Sequence, residues 1–173
     1  MAAWNMLTLV GADRPSIVAQ VTHTLYQLGG NLGEASMIRL GGNFTIMLMV
    51  SGDLSTEAML AALAPVSTAL GLRVHVDPVH GELHQHQVPN FQVRVNGADR
   101  AGIVAEVTAI LATQGFNILE LDSDVAGDLA QPLYLMNIQG FCAAPLEALE
   151  TALAPLIAQG VAVTVAPLEL MIG

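Results

Sequence analysis

Two four-residue runs carry the chemistry that this sequence offers most plainly. Gly11-Ala12-Asp13-Arg14 recurs as Gly97-Ala98-Asp99-Arg100, 86 residues later. Each run joins a glycine to a carboxylate and a guanidinium, and each precedes a stretch with helical spacing. Backbone amides at the start of a helix lack intrahelical partners and lie at the positive end of its dipole, so a carboxylate can dock there. An adjacent Asp13 or Asp99 can accept from an α-ammonium group, and Arg14 or Arg100 can pair with a ligand or a partner. Gly11 and Gly97 open the turns. The competing reading is structural: Asp13 and Asp99 cap their helices, and Asn31 and Asn117 turn the chain after a glycine cap.

Other chemistry is poorly supported. His75, Asp77, His80, Glu82, His84 and His86 cluster in sequence but lack the fixed spacing of a zinc site, so they read as a polar linker rather than a metal site. There is no phosphate-binding glycine fingerprint, no GxSxG elbow and no matched nucleophile and base. His23 has no counterpart in the second run, where Ala109 stands, and Cys142 has no evident base. An enzyme is not expected.

The elements that position the two runs repeat as well. Ile17-Val18-Ala19 matches Ile103-Val104-Ala105, and Leu25, Gly29, Asn31 and Glu34 match Leu111, Gly115, Asn117 and Glu120 at the same offset. Leu63-Ala64-Pro65 matches Leu153-Ala154-Pro155 at an offset of 90, so the second copy gains four residues between Glu120 and Leu153. In each copy a short strand (Leu7 to Val10; Phe91 to Val95) leads through the run into a helix, entered at Pro15 in the first copy, whose apolar spacing runs through Ile17, Val21, Leu25 and Leu28 or Ile103, Val107, Ile110 and Leu111. Gly29-Gly30 and Gly115 end these helices. A hairpin follows, around Gly41-Gly42-Asn43 in one copy and Gly127-Asp128 in the other. A second helix is expected over Ser55 to Leu70 and Pro145 to Ala158, with Pro65 and Pro155 kinking or ending it. The closing strands are Leu72 to Val76 and Val161 to Val165. Met47-Leu48-Met49 reads as sheet core.

Strand-helix-strand-strand-helix-strand is the ferredoxin-like unit. The fold class is therefore α+β, with two βαββαβ domains, antiparallel sheets and helices on one face. The expected boundaries are 1–78, a linker over 79–90, and 91–173. In this topology Asn31 and Asn117 are expected beside the loops.

LTLVGADRPSIVAQVTHTLYQLGGNL and FQVRVNGADRAGIVAEVTAILATQGFNI both resemble the start of an ACT domain, a module that binds amino acids. With LGGNFTIMLMVSG closing the first hairpin, the chain resembles the glycine cleavage system transcriptional repressor family. That resemblance implies an amino-acid site at Asp13, Ser16 and Asn31, and again at Asp99, Gly102 and Asn117. It implies glycine as ligand, no cofactor, and repression through contact with a DNA-binding activator. Ser16 stands where the family prefers glycine and would crowd a ligand; Ala101 stands where it prefers proline. The loop of the second copy is thus the better site. Two other functions stay open: an amino-acid-binding module controlling a metabolic enzyme in trans, and a structural pairing module with vestigial loops. Self-association into a homo-oligomer stays open too.

Composition excludes some partners. Fifteen acidic residues face five arginines and no lysine, giving a formal net charge of −10 over 173 residues. Binding to nucleic acid or to an anionic membrane relies on clustered cations, so neither is expected. A single cysteine, no basic stretch ahead of Arg14 and no unbroken apolar run of spanning length point to a cytoplasmic protein.

Overall fold

A computed structural model describes residues 4–80, 87–98, 101–126 and 132–168. The chain divides into two compact units, Met1–Leu83 and His84–Gly173. The first contains β1 (Trp4–Ala12), α1 (Ile17–Gln27), β2 (Asn31–Leu40), β3 (Asn43–Ser51), α2 (Thr56–Leu70) and β4 (Arg73–Val79). The second repeats the order with β5 (Phe91–Ala98), α3 (Ile103–Thr113), β6 (Asn117–Ala126), β7 (Leu133–Phe141), α4 (Leu146–Ala158) and β8 (Ala162–Pro167). Each unit has one antiparallel four-stranded sheet, in the orders β2-β3-β1-β4 and β6-β7-β5-β8. The expected α+β fold of two ferredoxin-like domains is what the chain forms.

Alternation along the central strands explains the layers, because successive side chains point to opposite faces. Leu7 and Leu9 of β1 meet Ile46, Leu48 and Val50 of β3 beneath Ile17, Val21 and Leu25 of α1 and Met59 and Leu63 of α2. In the second unit Val93, Val95 and Ile138 lie beneath Val107, Leu111, Leu149 and Leu153. Burying each Leu or Ile stabilises by about 1.5–3 kcal/mol. The helix spacing of these apolar positions thus sets which face of each sheet is covered.

Several local expectations need correction. Pro65 and Pro155 end no helix: α2 continues to Leu70 and α4 to Ala158. Apolar side chains on both sides of Pro65, Met59 and Leu63 before it and Val66 and Leu70 after it, pack on the same core and offset the missing hydrogen bond. Met47 and Met49 are not helix-side core. Only Leu48 faces the helices; Met47, opposite Thr8, lies on the other face and is 45% exposed. Val79, first residue of the expected linker, closes β4 opposite Trp4. The expected turn at Gly127-Asp128 lies outside the described residues. The four additional residues do fall in that connection, since β2 and β6 keep the offset of 86 while β3 and β7 differ by 90.

Among the described residues no helix is long and apolar enough to cross a membrane, which says nothing of a β-barrel.

Candidate functional site

The glycines of the two runs sit on strands, not turns. Gly11 lies opposite Phe44 near the end of β1. A Cβ there would stand 2.7 Å from Leu72 Cδ2 and 3.2 Å from the Gly71 carbonyl oxygen, so a side chain at this position would require the turn before β4 to shift. Gly97 occupies the matching position on β5, where a Cβ would meet Val161 at an ordinary 3.6 Å.

Asp13 does not cap α1. Its carboxylate pairs with Arg39 near the end of β2, Nη2 to Oδ2 2.5 Å, and its amide donates to the Gly42 carbonyl at 3.1 Å. The loop is thereby tied to the tip of the β2–β3 hairpin, a partnership that sequence reasoning missed. The available signal was the Gly41-Gly42 turn. A two-residue turn puts Arg39 in the row of Phe44, beside the end of β1. Arg14 is exposed. Asp99 and Arg100 lie outside the described residues.

Helix α1 starts at Ile17, two residues after Pro15, and α3 starts at Ile103, each at the first residue of its apolar helical spacing. The residues at the N-caps are Ser16 and Gly102, and the first helical hydrogen bonds run from the Gln20 amide to the Ser16 carbonyl, 3.0 Å, and from the Glu106 amide to the Gly102 carbonyl, 2.9 Å. Both caps are left-handed, with φ of 72° at Ser16 and 91° at Gly102. Ser16 is the one non-glycine residue with positive φ among those described. This corrects the crowding argument. A Cβ on Gly102 would meet only Glu106 Oε1, at 3.9 Å, so backbone conformation rather than space favours glycine there. Neither cap supplies a side-chain hydrogen bond. By contrast Ser55, at the start of α2 with an extended backbone, accepts from the Ala58 amide at 3.1 Å. Ser16 and Gly102 thus contribute no side-chain cap to α1 and α3.

The asparagines are not beside these loops. Asn31 pairs with Ser51, which pairs with Trp4, whereas Ala12 at the other end of β1 pairs with Asn43. Eight residues of strand separate the two ends, about 26 Å at 3.3 Å per residue. Asn117, opposite Phe141, is equally far along its sheet from Ala98, opposite Leu133. It donates through Nδ2 to Gln87 Oε1 at 2.7 Å. Within one unit a single amino acid cannot touch both the loop and the asparagine. Helix α1 causes this, since it carries the chain back along the whole sheet before β2 begins.

Among the described residues no group of three His, Cys, Asp or Glu side chains is placed to hold a metal ion. His75 and Asp77 pair with each other on β4, Nε2 to Oδ1 3.0 Å. His84 and His86 lie outside the described residues, as does Glu82. Cys142 is buried and its thiol donates to the Gln114 carbonyl at 3.2 Å.

Two βαββαβ units, each with a strand–loop–helix corner built on a left-handed residue, define a tandem of ferredoxin-like domains. Residues 6–77 match the ACT-domain family. The glycine cleavage system transcriptional repressor of Escherichia coli (strain K12) is 27% identical over 119 residues, 68% of this chain and 63% of that protein. The UPF0237 protein YjhC of Lactococcus lactis subsp. lactis (strain IL1403) is 42% identical over 72 residues, 41% of this chain and 83% of that protein. A crystal structure of a protein from Galdieria sulphuraria has a TM-score of 0.79 at 25% identity, covering 98% of this chain and 100% of that one. The chain belongs to the ACT-domain family, and it carries the domain twice. It spans 63% of the length of the repressor it matches.

Proposed function

We propose that this chain is an amino-acid-responsive regulator, with glycine as the favoured ligand, and that it represses glycine cleavage genes through contact with a DNA-binding activator. It works by binding, not by catalysis. The observation that carries this reading is the corner repeated in both units: a left-handed residue opens a helix and supplies it no side-chain cap. A ligand carboxylate placed there accepts hydrogen bonds from the first-turn amides. The 27% identity to the Escherichia coli repressor supports the regulatory role, and the net charge of −10 favours action through a protein partner over DNA contact.

The second unit is the favoured binding corner, because Gly102 adopts the left-handed conformation without strain. Asp99, Arg100 and Gly97 belong to this proposed site with Gly102. In the first unit Gly11, Asp13, Arg14 and Ser16 form the weaker corner, with the Asp13 carboxylate already engaged by Arg39. Asn31 and Asn117, at the far ends of their sheets, serve a ligand only at a separate position.

Glycine has five non-hydrogen atoms, and the best tiny ligands reach about −1.5 kcal/mol per atom, so its Kd is no tighter than a few micromolar. A thermal-shift screen of the twenty amino acids, followed by calorimetry, tests the reading. Glycine should raise Tm, and Gly102→Val should reduce that shift more than Ser16→Val. Absence of any shift, or an equal response in both variants, would contradict it. Affinity capture then separates the roles: a DNA-binding activator agrees with repression, whereas a metabolic enzyme shows control in trans instead.

A further inference from the structure

The helix-free faces of the two sheets differ in kind. Arg94 and Asn96 of β5 share that face with Asn137 of β7 and with Asp122 and Asp124 of β6. Arg94, Asn137 and Asp122 form one row across three strands, and Asn96, Leu135 and Asp124 form the next. These residues line a hollow of about 290 Å³. At the same register in the first unit stand Thr8, Val10, Met47, Ser36 and Ile38, with no charge among them. The fold therefore does not require charged residues there.

Nor do these charges satisfy one another. Among the described residues, the ion pairs within 4.0 Å are Arg39–Asp13 and His75–Asp77, and neither involves Arg94, Asp122 or Asp124. Strands two apart are separated by about 9.5 Å, which holds the guanidinium and the carboxylates on opposite sides of Asn137. The Asn137 Oδ1 accepts from Gln92 Nε2 at 2.7 Å, a bond that does not use its amide nitrogen, and Asn137 lines the hollow. Asp124 Oδ1 accepts from the Val125 amide at 2.8 Å and keeps its second oxygen.

We propose that this hollow is a second binding site, for a zwitterionic α-amino acid. The ligand carboxylate takes the Arg94 guanidinium, whose planar fork suits a two-oxygen anion. The ammonium group lies between Asp122 and Asp124, two residues apart on one strand face. Asn137 and Asn96 offer amides between the two charged ends. The volume is at the low end for small-molecule sites and fits a free amino acid better than a nucleotide. The site lies on the opposite sheet face from α3 and does not depend on the corner at Gly102.

Amide chemical shifts of the full chain, titrated with each of the twenty amino acids singly, test this. At least one amino acid should move the amides of Arg94, Asn137 and Asp122 together. Acetate and methylamine, each with half of the charge pattern, should bind at least tenfold more weakly. Arg94→Thr and Asp122→Ser import the first unit's residues at exposed positions; each should weaken the response at least tenfold while Tm in the absence of ligand holds. Gly102→Val should leave this response intact. The proposal is overturned if no amino acid moves these three amides, if the response survives both substitutions, or if methylamine or a divalent cation alone reproduces it. Shifts confined to residues 101–106 would support the corner reading and sink this one.

Discussion

Ser16 and Gly102 occupy equivalent left-handed caps, and the difference between them is a single side chain in a disfavoured conformation. For an L-residue that conformation costs about 1–2 kcal/mol. Nothing presses on the cap at Gly102, so the effect there is conformational. Ser16→Gly should therefore stabilise the first unit by about 1 kcal/mol, and Gly102→Ala should destabilise the second by a similar amount. Urea denaturation read separately on each unit checks both signs; two shifts in the same direction would contradict the argument. Arg39, 68% exposed at its side chain, adds little by its charge. Exposed pairs typically contribute about 0–1 kcal/mol, so its value lies in placing the Asp13 carboxylate.

At the scale of the element, α2 contrasts with the corner helices because its N-terminus is closed. Ser55 caps the Ala58 amide, and replacing it with alanine should cost about 1 kcal/mol. Glu57 in the first turn is held below the usual carboxylate range by hydrogen bonds from its own backbone amide, then from the Ser55 and Thr56 hydroxyls. A lowered folded value means that the stabilisation is present above the ordinary glutamate range and is lost as pH falls through the lowered value. The stability difference between wild type and Glu57→Gln should accordingly be seen at neutral pH and vanish in acid. A difference that grows on acidification would show the sign to be wrong. Paired strands show compensation of another sort. A Cβ at Gly140 would overlap the Phe116 ring and the Asn117 carbonyl, whereas the first unit places Val50 and Gly30 in those positions, with the large and small residues exchanged. Both units keep close packing at the same corner by opposite choices.

For the whole molecule, the net charge of −10 bears on the proposed choice of partner. Five arginines, one of them engaged by Asp13, offer few cations for displacing the counterions on which duplex affinity rests. The purified chain alone should give no shift of glycine cleavage operator DNA at physiological salt. A specific shift that weakens with salt would overturn the indirect route. Contact with a protein partner should instead favour a basic surface, where complementary charge mainly raises the association rate.

The sequence by itself determined the repeat, the order of the elements among the described residues and the apolar faces of the helices, because periods of 2 and 3.6 are local properties. It also located the Gly41-Gly42 turn, whose φ values of 57° and 75° require residues that tolerate the left-handed region. Only the tertiary structure decided which residues meet. Pairing of β1 with β3 sends Asn31 to the end of the sheet away from Asp13 and brings Arg39 to it instead. The alternation of Gln92-Val93-Arg94-Val95-Asn96 was legible as a half-polar strand, but the row from Arg94 through Asn137 to Asp122 was not. It exists only once the register across three strands is fixed. Adding a residue to one strand before that row would move every later side chain to the other face, and β6 carries such an irregularity between Ile118 and Glu120. Periodicity describes a strand along its own length; a site is made across strands, and that arrangement is set by long-range pairing.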